Sequence, residues 1–556
     1  MGKGDNAKRL ADLLIRMRSE SAADPSRRNK PLLPSATIDS LIIIDRVIDP
    51  ATPLLTQLTY EGLLDETFHI SNCQIEVSTS IIGALPSANT PPTNTSASGS
   101  SSQPPTGSTA PLRRRVVLTP TDTLYSTLRT TPISLIGPTL NRTARRLQTD
   151  FSLGPQNNKT VSELRDFVTK LPGYQAEQQS LKIHTSLAEH ILSQTRQELW
   201  TKSLEVQQNV IAGTDPSSLN ELIEELIARD VPLTDVLRLL CLASVVNNGL
   251  RSRDFDSFKR LVAQAYGYQH IVTLSALERM GLLVPSSSRS IGGVTSTLGA
   301  SVGGLSSYVP GLGLISNNNN SNTNTNKSIS PAPSARTPLA DPKLVVPDAT
   351  LYNSLRKPLH LIIDDIDDSD PSDIAYTYSG YAPLSVRIVQ TILQKQYLAA
   401  LTANASNTAR TKGSSLAPAV AAAARIPSDI AQEGWGKELF EGVVGRYVKG
   451  AVVDIVQSPL EGDKAGHVRN NLMSHGGGGS GAKAKTTVIF FLGGVTYAEV
   501  AAVRLIAQQF AQGAEEGLAS GDPSGGAKQL LIITTSMLRG DTVVSTAINA
   551  SEPRRI

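Results

Sequence analysis

Leu41-Ile42-Ile43-Ile44 is a run of branched aliphatic residues with no polar alternation, followed at once by Asp45-Arg46. A short apolar run of this kind is the pattern of a strand covered on both faces, as in a parallel sheet. Beyond it, Asp49-Pro50 and Thr52-Pro53 are two X-Pro steps that hold the preceding residues out of the helical region, so the chain turns there. From Pro53, the residues Leu54, Leu55, Leu58, Leu63 and Leu64 predict an apolar-faced helix that ends or is interrupted near Gly62. Two further stretches match the first: Thr487 to Leu492 running into the turn Gly493-Gly494, and Leu530 to Thr535. With the Asp45-Arg46 strand these βα units predict a parallel α/β sheet.

Between the sheet-forming stretches the pattern changes. Gln74 to Val77 and Arg113 to Leu118 read as a hairpin whose tip, 87–110, is almost wholly Ser, Thr, Pro, Gly and Asn and cannot bury enough apolar area to order itself. Arg113 to Arg115 are read as a solvated edge. Asn6 to Arg18 places Leu10, Leu13, Leu14 and Met17 on one helical face. Asp122 to Arg129 opens a helical region. Thr160 to Glu163 forms a capping box before the stripe Leu164, Phe167, Val168 and Leu171, and Pro172-Gly173 separates it from a second stripe at Leu187, Ile191 and Leu192. Two helices joined or kinked at Pro172 are expected. Further helices are predicted around Leu219 to Ile227, from Thr234 to Val246, Phe255 to Tyr266 and Thr273 to Met280, and a strand over Leu359 to Asp364. The segments 286–342 and 403–428 are low in complexity, expected to be disordered and mobile respectively, and Gly476 to Gly481 is a linker.

The chain of 556 residues carries 52 Lys+Arg against 49 Asp+Glu, so no overall field drives it onto nucleic acid or an acidic membrane. The helical succession offers no basic recognition helix with interleaved aromatics, which argues against a DNA reader. Cys73 and Cys241 stand far apart, giving neither a disulfide framework nor a CxxC site and fitting a reducing cytosol. No apolar run approaches the roughly 20 residues that cross a bilayer, so direct membrane insertion is not expected.

No catalytic or metal constellation is expected. Gly299 to Gly303 matches G-x-S-x-G without a buried strand before it. Gly476 to Lys483 has Ala482 where a phosphate loop requires Lys and precedes its strand instead of following one. Gly493-Gly494 could cradle an anion at a helix start, but reads better as a tight βα turn with Glu499 close by. Asp364, Asp365, Asp367, Asp368 and Asp370 lack the Gly and closing Glu of a calcium loop. His184 and His190, six apart, share a helical face poorly and form no zinc pair.

The pattern from Asp45-Arg46 through Asp49, Pro53 and Leu58-Thr59-Tyr60-Glu61-Gly62 resembles the signature segment of the SM (Sec/Munc) proteins, which chaperone SNARE assembly. Phe491 to Glu499, including Gly493 and Gly494, resembles a second hallmark, and Asp373 to Arg387 resembles the vacuolar-sorting branch, whose members serve the HOPS and CORVET class C tethers. The resemblance implies an α/β plus α-helical SM fold lacking its first domain: a partial parallel-sheet α/β domain split by a large inserted helical domain. The implied bounds are 1–119 and 486–556 for the two α/β segments and 120–456 for the helical domain. It implies a SNARE-receiving hairpin over 160–213, carried by Leu171, Pro172, Tyr174, His184, Leu187 and Ile191. A contact with the tether's helical subunit is implied at Tyr378, Gly380, Tyr381, Pro383 and Arg387. The implied function is non-catalytic and without cofactor: templating SNARE pairing while held peripherally on late endosome or vacuole through partners. The alternative is an α/β enzyme of hydrolase type with a helical cap, which would need convergent polar groups beyond Ile44, Leu492 and Ile533.

Overall fold

The computed structural model describes residues 1–23, 35, 38–83, 113–152, 161–286, 349–364, 366–394, 445, 447–455, 486–515 and 529–551. The segments 87–110, 287–342 and 403–428, the linker Gly476 to Gly481, the G-x-S-x-G match and the loop Gly476 to Lys483 lie outside the described residues. Residues 1–290 and 346–556 form one unit; the second, 291–345, also falls outside the described residues.

The aliphatic run lies in β2 (Ile38–Asp45), which pairs in parallel with β6 (Thr486–Leu492), and β6 pairs in parallel with β7 (Gln529–Thr534). The parallel pairing is as expected, but β7 is an edge strand with Leu531 and Ile533 exposed, and not a strand covered on both faces. Two strands were not foreseen: β1 (Gly2–Lys3), parallel to β2, and β5 (Val452–Val453), antiparallel to β1, giving the order β5-β1-β2-β6-β7. At two residues each they are too short to carry a period of 2. Lys3 is buried there, its ammonium donating to the carbonyls of Val448 (3.0 Å) and Gly450 (2.6 Å). The second sheet is the hairpin of β3 (Gln74–Ser78) and β4 (Arg113–Val117), with Arg115 ion-paired to Glu76 at its exposed edge.

The helices are α1 (Asp5–Ala23), α2 (Tyr60–Phe68), α3 (Thr79–Ile82), α4 (Thr123–Leu128), α5 (Ile133–Ser152), α6 (Val161–Thr195), α7 (Glu198–Ala212), α8 (Pro216–Ala228), α9 (Leu233–Val246), α10 (Ser252–Tyr266), α11 (His270–Arg279), α12 (Tyr352–Leu355), α13 (Leu384–Leu393), α14 (Tyr497–Glu515) and α15 (Gly540–Ser551). Two hydrophobic cores result. The larger joins one sheet face (Ile42, Ile44, Ile489 and Phe491) to α14, α15, α13 and the helices α7 to α11, with α9 buried from Val236 to Val246. The smaller packs Tyr60, Leu63 and Leu64 of α2 against β3, β4, α4, the start of α5 and Leu187, Ala188 and Ile191 of α6.

Several sequence expectations are corrected. The helix expected from Pro53 is only a single 3-10 turn, Thr52–Leu54; the α-helix begins at Tyr60, because Thr59 caps it by accepting the N–H of Gly62. Gly62 therefore opens this helix instead of ending it. A side chain there would press a Cβ to 2.5 Å from that of Gln57. The two apolar stripes belong to one helix and not to two: α6 runs 35 residues with Pro172 inside it and on its exposed side. The antiparallel partner of α6 is α5, joined by the Arg146–Glu177 ion pair at 2.8 Å, so the helical hairpin is α5–α6 and not two halves of 160–213. Leu359 to Asp364 makes no strand; it contributes a single bridge, Ile362 to Tyr381, since the run is preceded by Pro358 and gives way to an acidic turn. Finally, α1 forms but leaves Leu13 and Met17 more than half exposed, and the residues it buries are Ala7 and Ala11.

Candidate functional site

Where β2 ends, Asp45 accepts the backbone N–H groups of Val47 (3.2 Å) and Asn6 (3.0 Å), which starts a 3-10 turn and turns Arg46 across the strand ends. Arg46 Nη1 donates to both oxygens of Glu499 at 2.8 Å, and Nη2 lies 3.3 Å from Asp49. Asp49 also accepts Tyr352 Oη (2.8 Å), Thr52 Oγ1 (2.6 Å) and the N–H of Ser385 (3.0 Å). Glu499 accepts the N–H of Thr496 at 2.8 Å and the hydroxyl of Ser385. Burial alone would lower the pKa of Arg46, but Glu499 and Asp49 more than reverse this and hold it above its ordinary value. Gly493 and Gly494 make the βα turn with φ of 101° and 114°; a Cβ on Gly493 would stand 2.8 Å from that of Arg46. The motif residues Asp45, Arg46, Asp49, Gly493, Gly494 and Glu499 are thus brought together at one junction, with Asp45, Asp49, Gly494 and Glu499 buried, Arg46 partly covered, Gly493 exposed, and Pro53 buried in the turn beyond it. Glu61 stands apart, on α2, accepting Tyr125 Oη at 2.8 Å and pairing with Arg504.

Of the residues expected to meet a tether subunit, Tyr378 and Tyr381 border this junction. Tyr378 Oη lies 3.1 Å from Thr496 Oγ1 and Tyr381 Oη 3.5 Å from Thr52 Oγ1. Arg387, fully buried, clasps both oxygens of Asp373 at 2.9 Å and also reaches Gln390 (2.7 Å) and the carbonyl of His360 (2.8 Å). Pro383 is buried, and Gly380 turns with φ of 116° against the carbonyl of Ile363. Their polar groups are engaged inside the chain, so these side chains do not form an outward-facing patch; this corrects the surface expected there. Burial, and after it Asp49 or Glu499, raises the hydroxyl pKa values of Tyr352, Tyr378 and Tyr381 far above the ordinary value.

The six hairpin residues divide. His184, Leu187 and Ile191 are buried in the smaller core and root α6. Leu171 and Tyr174 are half-buried and Pro172 is exposed on the outer half. His184 is held between Tyr60 Oη (2.9 Å to Nδ1) and Asp122 (3.2 Å to Nε2), and Ser180 donates to the same Asp122 oxygen at 2.5 Å. Asp122 also caps α4 through the N–H groups of Leu124 and Tyr125. Burial would raise its pKa, but the hydrogen bonds from His184, Ser180 and the Tyr125 N–H hold the carboxyl at about 2. The network escaped sequence reasoning; its one visible signal was Asp122 standing as a cap before Thr123-Leu124-Tyr125.

At the C-terminal ends of β2, β6 and β7 lies an open cleft of about 990 Å³. Its lining includes Arg46, Met280, Leu282, Leu492, Thr535 and Met537, more apolar than polar. Arg46 is committed to Glu499 and Asp49. Among the described residues no cluster of three or more His, Cys, Asp or Glu has the arrangement to hold a metal.

The family model described as the Sec1 family matches residues 1–546. The chain belongs to the Sec1 family. Vacuolar protein sorting-associated protein 33A of Rattus norvegicus is 33% identical over 389 residues, 70% of this chain and 52% of that protein. Vacuolar protein sorting-associated protein 33 of Schizosaccharomyces pombe is 32% identical over 394 residues, 71% of this chain and 54% of that protein. The Arabidopsis thaliana homologue is 26% identical over 546 residues, 98% of this chain and 66% of that protein. This Sec1-family chain therefore spans about half to two thirds of the length of these relatives. Among solved structures, the Unc18–syntaxin 1 complex of Monosiga brevicollis aligns with 97% of this chain and 65% of that chain at 14% identity and a TM-score of 0.47.

Proposed function

We propose that this protein is a non-catalytic SNARE-assembly factor of vacuolar sorting, acting at late endosome or vacuole and held there through a class C tethering subunit. Membership of the Sec1 family, with relatives named for vacuolar protein sorting, supports the reading. The observation that carries it is the shape of α6. Its C-terminal half is locked into the smaller core at His184, Leu187 and Ile191, whereas the outer half packs against α5 and leaves Pro172, Gln175 and Gln179 facing outward. At 1.5 Å per residue, a helix of this length reaches about 50 Å. A rigid helical ridge anchored at one end is a surface along which an amphipathic helix can lie, the recognition mode that SNARE motifs require. No helix among the described residues is long and apolar enough to cross a membrane. Attachment is therefore assigned to partners.

The test is a titration of purified SNARE motifs, and separately of the tether's helical subunit, onto the wild-type chain and the double variant Leu171→Asp, Tyr174→Asp. Saturable SNARE binding that drops at least tenfold in the variant, with subunit binding unchanged, is expected. Equal SNARE affinity for both proteins would remove the hairpin from the account.

A further inference from the structure

Glu61 carries one negative charge between two guanidinium groups. Its Oε2 pairs with Arg504 of α14 and its Oε1 accepts Tyr125 Oη, so both carboxylate oxygens are engaged on that side. On the other side the backbone N–H of Glu61 donates to the carbonyl of Arg129 at 3.2 Å, which ties the main chain of Arg129, the residue following α4, to that of Glu61. Among the described residues the Arg129 side chain has no hydrogen-bond or ion-pair partner, and its Nε is buried. Burial, and after it the neighbouring Arg504, lowers the pKa of Arg129, while Glu61 acts in the opposite direction. The group thus holds two positive charges against one negative. A partly buried guanidinium with no acceptor is costly, and Arg129 and Arg504 both keep part of their surface open to solvent.

We propose that Arg129 and Arg504 form a receptor for one side-chain carboxylate from an acidic segment of a partner polypeptide. Glu61 and Tyr125 hold Arg504 in place, and Arg129 supplies free N–H donors in a planar fork that suits a carboxylate. A single carboxylate brings the group to neutrality. A phosphate dianion would overshoot it beside Glu61. This site lies apart from the outer half of α6, and its ligand class does not depend on the SNARE-handling reading.

The full chain is titrated by fluorescence anisotropy with a labelled decapeptide of alternating Glu and Ser, with its Gln and Ser counterpart, and with a phosphoserine and Gly counterpart. The Glu peptide is expected to bind at least tenfold more tightly than the Gln peptide, more weakly as salt rises, and at least tenfold more weakly to Arg129→Gln. The denaturation midpoint of Arg129→Gln is expected to stay or rise, because the side chain has no partner in the fold to lose. Equal binding of Glu and Gln peptides, wild-type affinity in Arg129→Gln, binding of the phosphoserine peptide alone, or a lowered midpoint in Arg129→Gln would each overturn the proposal.

Discussion

The Arg46 junction and the α5–α6 hairpin are opposites in how they use polar groups. At the junction Asp49, Glu499, Ser385 and Tyr352 are buried, and with the largely covered Arg46 they are bonded to one another, while Tyr378 joins them through Thr496. On the outer half of α6 the polar residues Gln175, Gln178 and Gln179 face solvent, and Glu177 pairs with Arg146 of α5. The junction residues therefore hold the fold together. The stretch assigned to partners is plain amphipathic helix. At the junction the chemistry is burial of paired charge.

The largest expected effect belongs to the junction. Glu499→Ala leaves Arg46 buried without its bidentate partner, and breaking a buried ion pair from one side costs about 3 to 5 kcal/mol, much of a typical stability. Urea titration should show this fall or a loss of cooperative unfolding; a midpoint within error of wild type would place Arg46 in contact with water. Leu187→Ala comes next. It should cost about 2 to 5 kcal/mol by opening a cavity in the smaller core, and α6 should loosen at its root. Pro172→Ala is smaller and of opposite sign. Restoring an N–H and removing the ring clash inside α6 should stabilise the helix by up to about 3 kcal/mol, seen as slower amide exchange on either side of residue 172. A destabilised Pro172→Ala would mean that the proline sets a bend the hairpin needs.

A pH series separates the two regions around α2 and α4. Asp65, at the end of α2, has its carboxyl raised to about 6, chiefly by burial. Folded Asp65 binds a proton more readily than the unfolded chain does, so this group adds stability as pH falls from about 6 towards the ordinary carboxylate range. Asp122 behaves oppositely. Its folded value of about 2 lies below the unfolded one, so its stabilisation is present above about pH 4 and is lost as pH falls towards 2. Asp65→Asn should flatten the first change and Asp122→Asn the second, as read by denaturation midpoints at each pH.

Legibility in the sequence followed the strength of local signals. The strands around Ile42, Ile489 and Ile532 announced themselves as unbroken aliphatic runs, and their parallel pairing came out as expected. Strands β1 and β5 did not, because two residues carry no period. Local propensity predicts a joint or kink at Pro172, whereas α6 continues through it as a single helix. At Tyr378 to Arg387 the residues looked like a contact surface, yet their partners, Thr496, Thr52 and Asp373, are brought up mostly by distant parts of the chain. Whether a tyrosine hydroxyl is spent inside or offered outside depends on those partners, and no local pattern reveals them.

Amide hydrogen exchange of the full chain with and without a saturating SNARE motif tests the contrast most directly. The account predicts that added protection falls on the outer half of α6 around Leu171 to Gln179 and on the facing part of α5, while Tyr378 to Arg387 exchanges identically in both samples. Protection gained at Tyr378 to Arg387, with none around Leu171 to Gln179, would contradict it.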